Sequence, residues 1–131
     1  MPLQIDDITG LRSGLAHFRK ADYFAAHDAW EEVWQGLRGR QRLFWQAMIQ
    51  LAVGAYHYTN GNLRGCQGQW RKALHKCHEL GGDKEDPRQP AALLTGVLET
   101  SLQALADGDN PLPGLAEFAA DTVCEDWFVF S

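Results

Sequence analysis

"GLAHFRKADYFAAHDAW" (residues 14–30) and "GAYHYTNGNLRGCQGQW" (residues 54–70) stand 40 positions apart and read as the same device. In that register Gly14 meets Gly54, His17 meets His57, Phe18 meets Tyr58, Ala26 meets Cys66 and Trp30 meets Trp70. Each copy holds the end of one apolar-periodic segment, a tight turn and the start of another. Asp22 is a suitable helix N-cap after the first turn, and "NGN" at 60–62 is a strong breaker in the second. The spacing predicts a duplicated αα-hairpin. Its logic is that of tetratricopeptide helix pairs, with a period longer than their roughly 34 residues.

Outward from these copies the same helical period continues. Ile8, Leu11, Leu15 and Phe18 mark a first helix over 8–20, and a second runs from the Asp22 cap to about 36. A third covers 41–59 and a fourth 63–80, stopped by Gly81 and Gly82. "GDKEDPRQP" (82–90) is a loop by composition; a fifth helix follows over 90–106 and a short sixth over 114–124. Sustained alternation of the kind a strand needs is missing. The expected fold is therefore all-α: a single-domain helical bundle of five to six helices over 1–131, built on stacked antiparallel αα-hairpins.

The bulk properties agree with one soluble domain. The 131 residues are 45% hydrophobic and 22% charged, with five tryptophans, and the net charge is −5. An acidic chain has little general attraction for nucleic acid or an anionic membrane, so neither is expected as a partner. The most apolar run, about 44–56, is shorter than the roughly 20 residues that a membrane span requires. Cys66, Cys77 and Cys124 make neither an even framework nor a CxxC pair, and the N-terminus lacks the pattern of a secretory signal. A cytoplasmic setting with free thiols is expected. The arginines of "LRGRQR" (37–42) are read as a solvated connector, with a phosphate-binding role as the lesser alternative.

The second helix raises a chemical question. Tyr23, His27, Trp30, Glu31 and Trp34 follow one helical stripe, which places a histidine and a carboxylate among aromatic residues. Asp28, Glu32 and Gln35 fall toward solvent. On the third helix Gln46, Gln50 and His57 form a polar row in an otherwise apolar segment. A buried carboxylate must be hydrogen-bonded or neutralised, so the row on the third helix is the expected partner of the His27–Glu31 pair. Two readings follow. The cluster is a structural network in the core, or it is a site between helices two and three that grips a polar ligand or moves a proton. Zinc prefers more Cys or His ligands than this set offers, and glutamine is a poor metal ligand; no metal is assigned.

"ADYFAAHDAWEEVW" followed by "FWQAMIQLAVGAYHYTNGNLRGCQGQWRKAL" resembles the bacterial and archaeal family called domain of unknown function 309. That family carries a "yfeaHEvwEd.W" helix and then "f.qglIQlavalhh...gn..gA". The matching residues are Phe24, His27, Asp28, Trp30, Glu31, Trp34, Gln46, Ile49, Gln50, Leu51, Ala52, His57, Gly61, Asn62 and Gly65, within about 21–74. The resemblance implies a compact helical bundle and no particular activity. Asp28 departs from the usual glutamate at an exposed position, and Cys66 replaces an alanine.

Lesser candidates add little. His75 and His78 are one turn apart beside a helix C-terminus, where histidine is favourable through the helix dipole. Neither glycine-rich stretch has the lysine and serine of a phosphate loop, and no serine has the context of a nucleophile elbow. The aromatic tail "DWFVFS" (126–131) is expected to tuck back onto the bundle, with a homodimer interface through exposed aromatics as the alternative. The functional expectation is a small polar ligand held by His27, Glu31, Gln46, Gln50 and His57 against an apolar wall of Trp30 and Trp34. In an enzyme Glu31 would be the base and His27 its partner, but no reaction or cofactor is assigned. The alternative is a helical-hairpin interaction module whose His/Glu/Gln cluster only holds the core.

Overall fold

The computed structural model describes residues 4–82, 84 and 89–121. Six helices make up these residues: α1 (Ile5–Arg19), α2 (Tyr23–Trp34), α3 (Gly39–Thr59), α4 (Leu63–Glu79), α5 (Pro90–Ala106) and α6 (Leu112–Asp121). Each packs on the next along the chain, and α6 packs on both α5 and α1. That last contact brings the end of the bundle back to its beginning. The Arg19 guanidinium clips it by donating through Nε to the Ala119 carbonyl at 3.0 Å.

The expected all-α hairpin architecture is present, and its turns explain the repeat. After α1, Asp22 N–H donates to the His17 carbonyl (2.9 Å) and Ala21 N–H to the Phe18 carbonyl (2.9 Å). After α3, Asn62 N–H donates to the His57 carbonyl (2.8 Å) and Gly61 N–H to the Tyr58 carbonyl (3.0 Å). These are the paired bonds of a Schellman motif, which satisfy carbonyls left over at a helix end. The same residue then opens the next helix: the Asp22 side chain accepts from Ala25 N–H, and the Asn62 side chain from Gly65 N–H. Ala21, at φ +61°, occupies the left-handed position that Gly61 fills at +77°.

A matching lock ties each hairpin together. Trp30 Nε1 donates to the Leu11 carbonyl at 2.9 Å, and Trp70 Nε1 to the Leu51 carbonyl at 3.0 Å. Both indoles lie directly against a glycine, Gly14 and Gly54, where any β-carbon would overlap the indole nitrogen. The two tryptophans are fully buried, and their N–H groups are satisfied by the facing helix of the same hairpin. Around Trp30 the rings of Phe18, Tyr23 and Trp45 form an aromatic cluster that joins α1, α2 and α3.

The helix ends differ from the sequence reading by small margins. α1 begins at Ile5, three residues before the expected start at Ile8, because Asp7 Oδ2 accepts from Gln4 N–H at 3.1 Å and extends the first turn. α6 starts at Leu112, where the Asn110 side chain accepts its N–H, rather than after Pro113. Proline is tolerated in a first turn because that N–H has no helical partner. No helix among the described residues is long and apolar enough to cross a membrane. The aromatic tail and Cys124 lie outside the described residues.

Candidate functional site

α2 is positioned by the Asp22 cap at one end and the Trp30 lock in its middle. Its stripe therefore has fixed edges. Tyr23, Ala26 and Trp30 are buried at its centre. His27 falls at the margin with its side chain 21% exposed, and Glu31 beyond it at 50%. The expectation of a buried pair is thus corrected. One helical turn separates the two residues, but the buried arc of α2 is narrow and is filled by rings and methyl groups. The carboxylate keeps its hydration at the rim instead of losing it among the tryptophans.

His27 Nε2 lies 2.8 Å from Glu31 Oε2, and His27 Nδ1 lies 3.4 Å from Asp28 Oδ1. The imidazole is held between two carboxylates, one on each ring nitrogen. Its outer neighbour is Phe24, whose ring centroid is 5.6 Å away; Phe24 in turn meets Tyr56 of α3 at 5.4 Å. Phe24 is 50% exposed and Tyr56 39%, so the α2–α3 edge presents rings to solvent as well as carboxylates.

The polar row of α3 is assigned elsewhere. The Gln50 side-chain oxygen accepts from Lys76 Nζ of α4 at 3.0 Å. Burial holds that ammonium below its ordinary pKa, while the nearby Glu79 pulls it back upward. His57 Nδ1 is 3.3 Å from the Asn62 amide in the α3–α4 turn. Gln46 is half-buried on α3. For Gln50 and His57 the expected partnership with His27 and Glu31 is therefore replaced by contacts toward α4. Lys76 comes from the partner helix of the same hairpin, which places its ammonium beside Gln50. Of the seven sequence-selected residues, His27 and Glu31 are directly bonded. Trp30 lies behind them in the core, with its N–H committed to Leu11.

Trp34 has a different role from the wall expected of it. Its indole N–H donates to the Arg42 carbonyl at 2.9 Å, and the Arg42 guanidinium lies 3.8 Å over its ring. Arg42 Nη1 also reaches the carbonyls of Trp34, Gln35 and Leu37 at 3.2–3.3 Å. Arg38 donates to the Gln35 and Leu37 carbonyls, and Arg40 to the Leu80 carbonyl at the end of α4. The basic stretch is the connector expected, with Arg38 and Arg40 exposed, and its arginines in addition cap the carbonyls at two helix ends. A cluster of arginines just past a helix end was the available signal, since cations favour the negative end of the dipole and the unpaired carbonyls there.

His27, Asp28 and Glu31 offer donor atoms within 4.8 Å of one another. The two carboxylates sit at opposite ring nitrogens, whose lone-pair directions diverge. An ion on either nitrogen has one of these carboxylates beside it, fewer protein ligands than the three of a typical catalytic zinc site. His75 is drawn into a 3.0 Å pair with Glu79 on its own helix. What the His27 group can do is hold a proton at a defined nitrogen and present a carboxylate to a hydrogen-bond donor.

Residues 11–69 match the model of a family described as "Domain of unknown function (DUF309)". The resemblance drawn from the α2 and α3 motifs is thereby found again over a stretch that reaches from α1 into α4. No curated protein and no solved structure matches the chain.

Proposed function

We propose, for a chain whose residues 11–69 carry the DUF309 pattern, that the α2–α3 edge centred on His27 and Glu31 binds a small polar ligand. The observation that carries this reading is the 2.8 Å pair itself: an imidazole fixed by one carboxylate oxygen, with the carboxylate half open to solvent. A fixed, accessible acceptor recognises an N–H or O–H donor at little ordering cost, because its orientation is set before the ligand arrives. Phe24 and Tyr56 supply apolar surface beside it. Trp30 backs the pair from the core, while Gln50 and His57 of α3 are bonded toward α4 and take no part in this edge.

The test is a nuclear magnetic resonance screen of small polar fragments against protein labelled in its histidine rings. A fragment that moves the His27 ring signals in the wild type and fails to do so in Glu31→Gln supports the site. A screen in which every binder moves other histidines, or none, rejects it. The exposed Phe24–Tyr56 contact favours the second reading, an interaction module that uses this edge against another protein. On that reading Phe24→Ala abolishes capture of the partner protein, whereas Glu31→Gln leaves it intact.

A further inference from the structure

The two hairpins share one scaffold but not one surface. In the 40-residue register the outward positions of α2 are Phe24, Asp28, Glu31 and Glu32, and their counterparts on α4 are Arg64, Gly68, Arg71 and Lys72. All eight are exposed and none belongs to the core. The helix that closes the first hairpin thus displays three carboxylates and no lysine or arginine. The helix that closes the second displays three cations at its equivalent face. Turn geometry, N-cap and tryptophan lock are the same in both, so the two faces have matching backbone shape and opposite charge.

We infer that this surface is an interface between two copies of the chain, α2 of one against α4 of the other. The partner is a second copy because one chain carries both complementary faces, and they lie on either side of α3, which packs against each. With each face present once per chain, a twofold pairing sets the acidic helix of each copy on the basic helix of the other, and the contact is made twice. A foreign basic protein satisfies the acidic face only and leaves Arg64, Arg71 and Lys72 unmatched. Both faces are charged and hydrated, so association is fast, reversible and governed by salt rather than by apolar burial. The acidic face shares Phe24 and Glu31 with the ligand site proposed above, whereas Glu32, Arg71 and Lys72 stand outside it and carry the test.

Sedimentation equilibrium of the wild type at about 10 mM salt, where charges act over about 30 Å, and again at about 1 M salt tests the inference directly. The expected result is a mass near two chains at low salt that falls toward one at high salt. Glu32→Lys and Arg71→Glu/Lys72→Glu each set like charges against one another at this contact and should weaken self-association by at least about tenfold. Mixed in equal amounts, the two variants should pair with each other, because each reversed face then meets a reversed partner. A wild type that stays at one chain's mass at every salt overturns the inference. So does a dimer that survives in both variants alone, which would place its interface elsewhere, the aromatic tail included. Retained His27 fragment shifts in monomeric variants separate this result from any failure of the ligand site.

Discussion

The indole of Trp30 donates to the Leu11 carbonyl at 2.9 Å across a helix pair in which the ring lies directly against Gly14. Trp70 repeats this with Leu51 and Gly54. The glycine is required by space and not by backbone freedom, since a β-carbon there would occupy the position of the indole nitrogen. Gly14→Ala and Gly54→Ala should each cost about 2–4 kcal/mol, combining overpacking with loss of a buried hydrogen bond. Gly68→Ala is the control: it lies within α4 with open space around its Cα, and should gain up to about 1 kcal/mol from helix propensity. Urea unfolding of the three variants decides the matter, and equal losses at 14 and 68 would contradict the lock.

Ala21 sits at φ +61° in a turn whose twin uses Gly61. A β-carbon in the left-handed region is strained, so Ala21→Gly should stabilise the protein by about 0.5–1 kcal/mol despite the freer unfolded chain. Gly61→Ala should do the reverse by a similar amount. Thermal melts of the pair would show opposite shifts; shifts of the same sign would mean that the two turns are not equivalent.

Arg42 joins α2 to α3 through three carbonyls and the face of Trp34. Arg42→Ala should cost about 1–3 kcal/mol, and Arg42→Lys should recover only part of it, because an ammonium neither stacks nor spans the carbonyls as the planar fork does. Full recovery by lysine in chemical denaturation would reduce the role of Arg42 to charge alone.

Glu31→Gln is expected to change stability by less than about 1 kcal/mol. The pair it breaks is a half-exposed i, i+4 contact, and such pairs are weak in water. A loss of several kcal/mol in urea would instead reveal a carboxylate on which the core depends.

Burial pushes the thiols of Cys66 and Cys77 up to about 12 from an ordinary value of 9.0. Both should resist a thiol reagent at pH 8 in the native state and react on unfolding, measured in a Cys124→Ser background. The raised values also carry a sign for stability. The folded state holds these protons more tightly than the unfolded chain, so their contribution is complete below about pH 9 and declines as pH rises toward 12. Rapid native-state labelling at pH 8 would place the thiols at the surface.

Much of the fold was legible because its signals are local. The Asp22 and Asn62 caps, the breakers at 60–62 and 81–82, and the helical spacing of apolar residues all act within a few positions of themselves. The 40-residue register was legible for the same reason, since a glycine, a turn and a tryptophan recur at fixed offsets. The candidate site was read less well. Its His27–Glu31 bond follows from helical spacing and is present, but the partners assigned to it are not those that the structure provides.

By itself, then, the sequence determined the helices, their turns and the hairpin pairing, because hydrogen bonds between near neighbours and the period of 3.6 residues per turn set them. Tertiary structure decided where each polar group ends. Whether Glu31 is buried depends on the width of the arc that α2 shares with α1 and α3. Whether Gln50 meets His27 or Lys76 depends on which helix lies nearer in register. The basic stretch at 37–42 became a clasp on two helix ends because the fold brings the end of α2 and the end of α4 to the same loop. These are outcomes of distance between segments remote in the chain, and distance is the quantity that residue spacing along one helix does not contain.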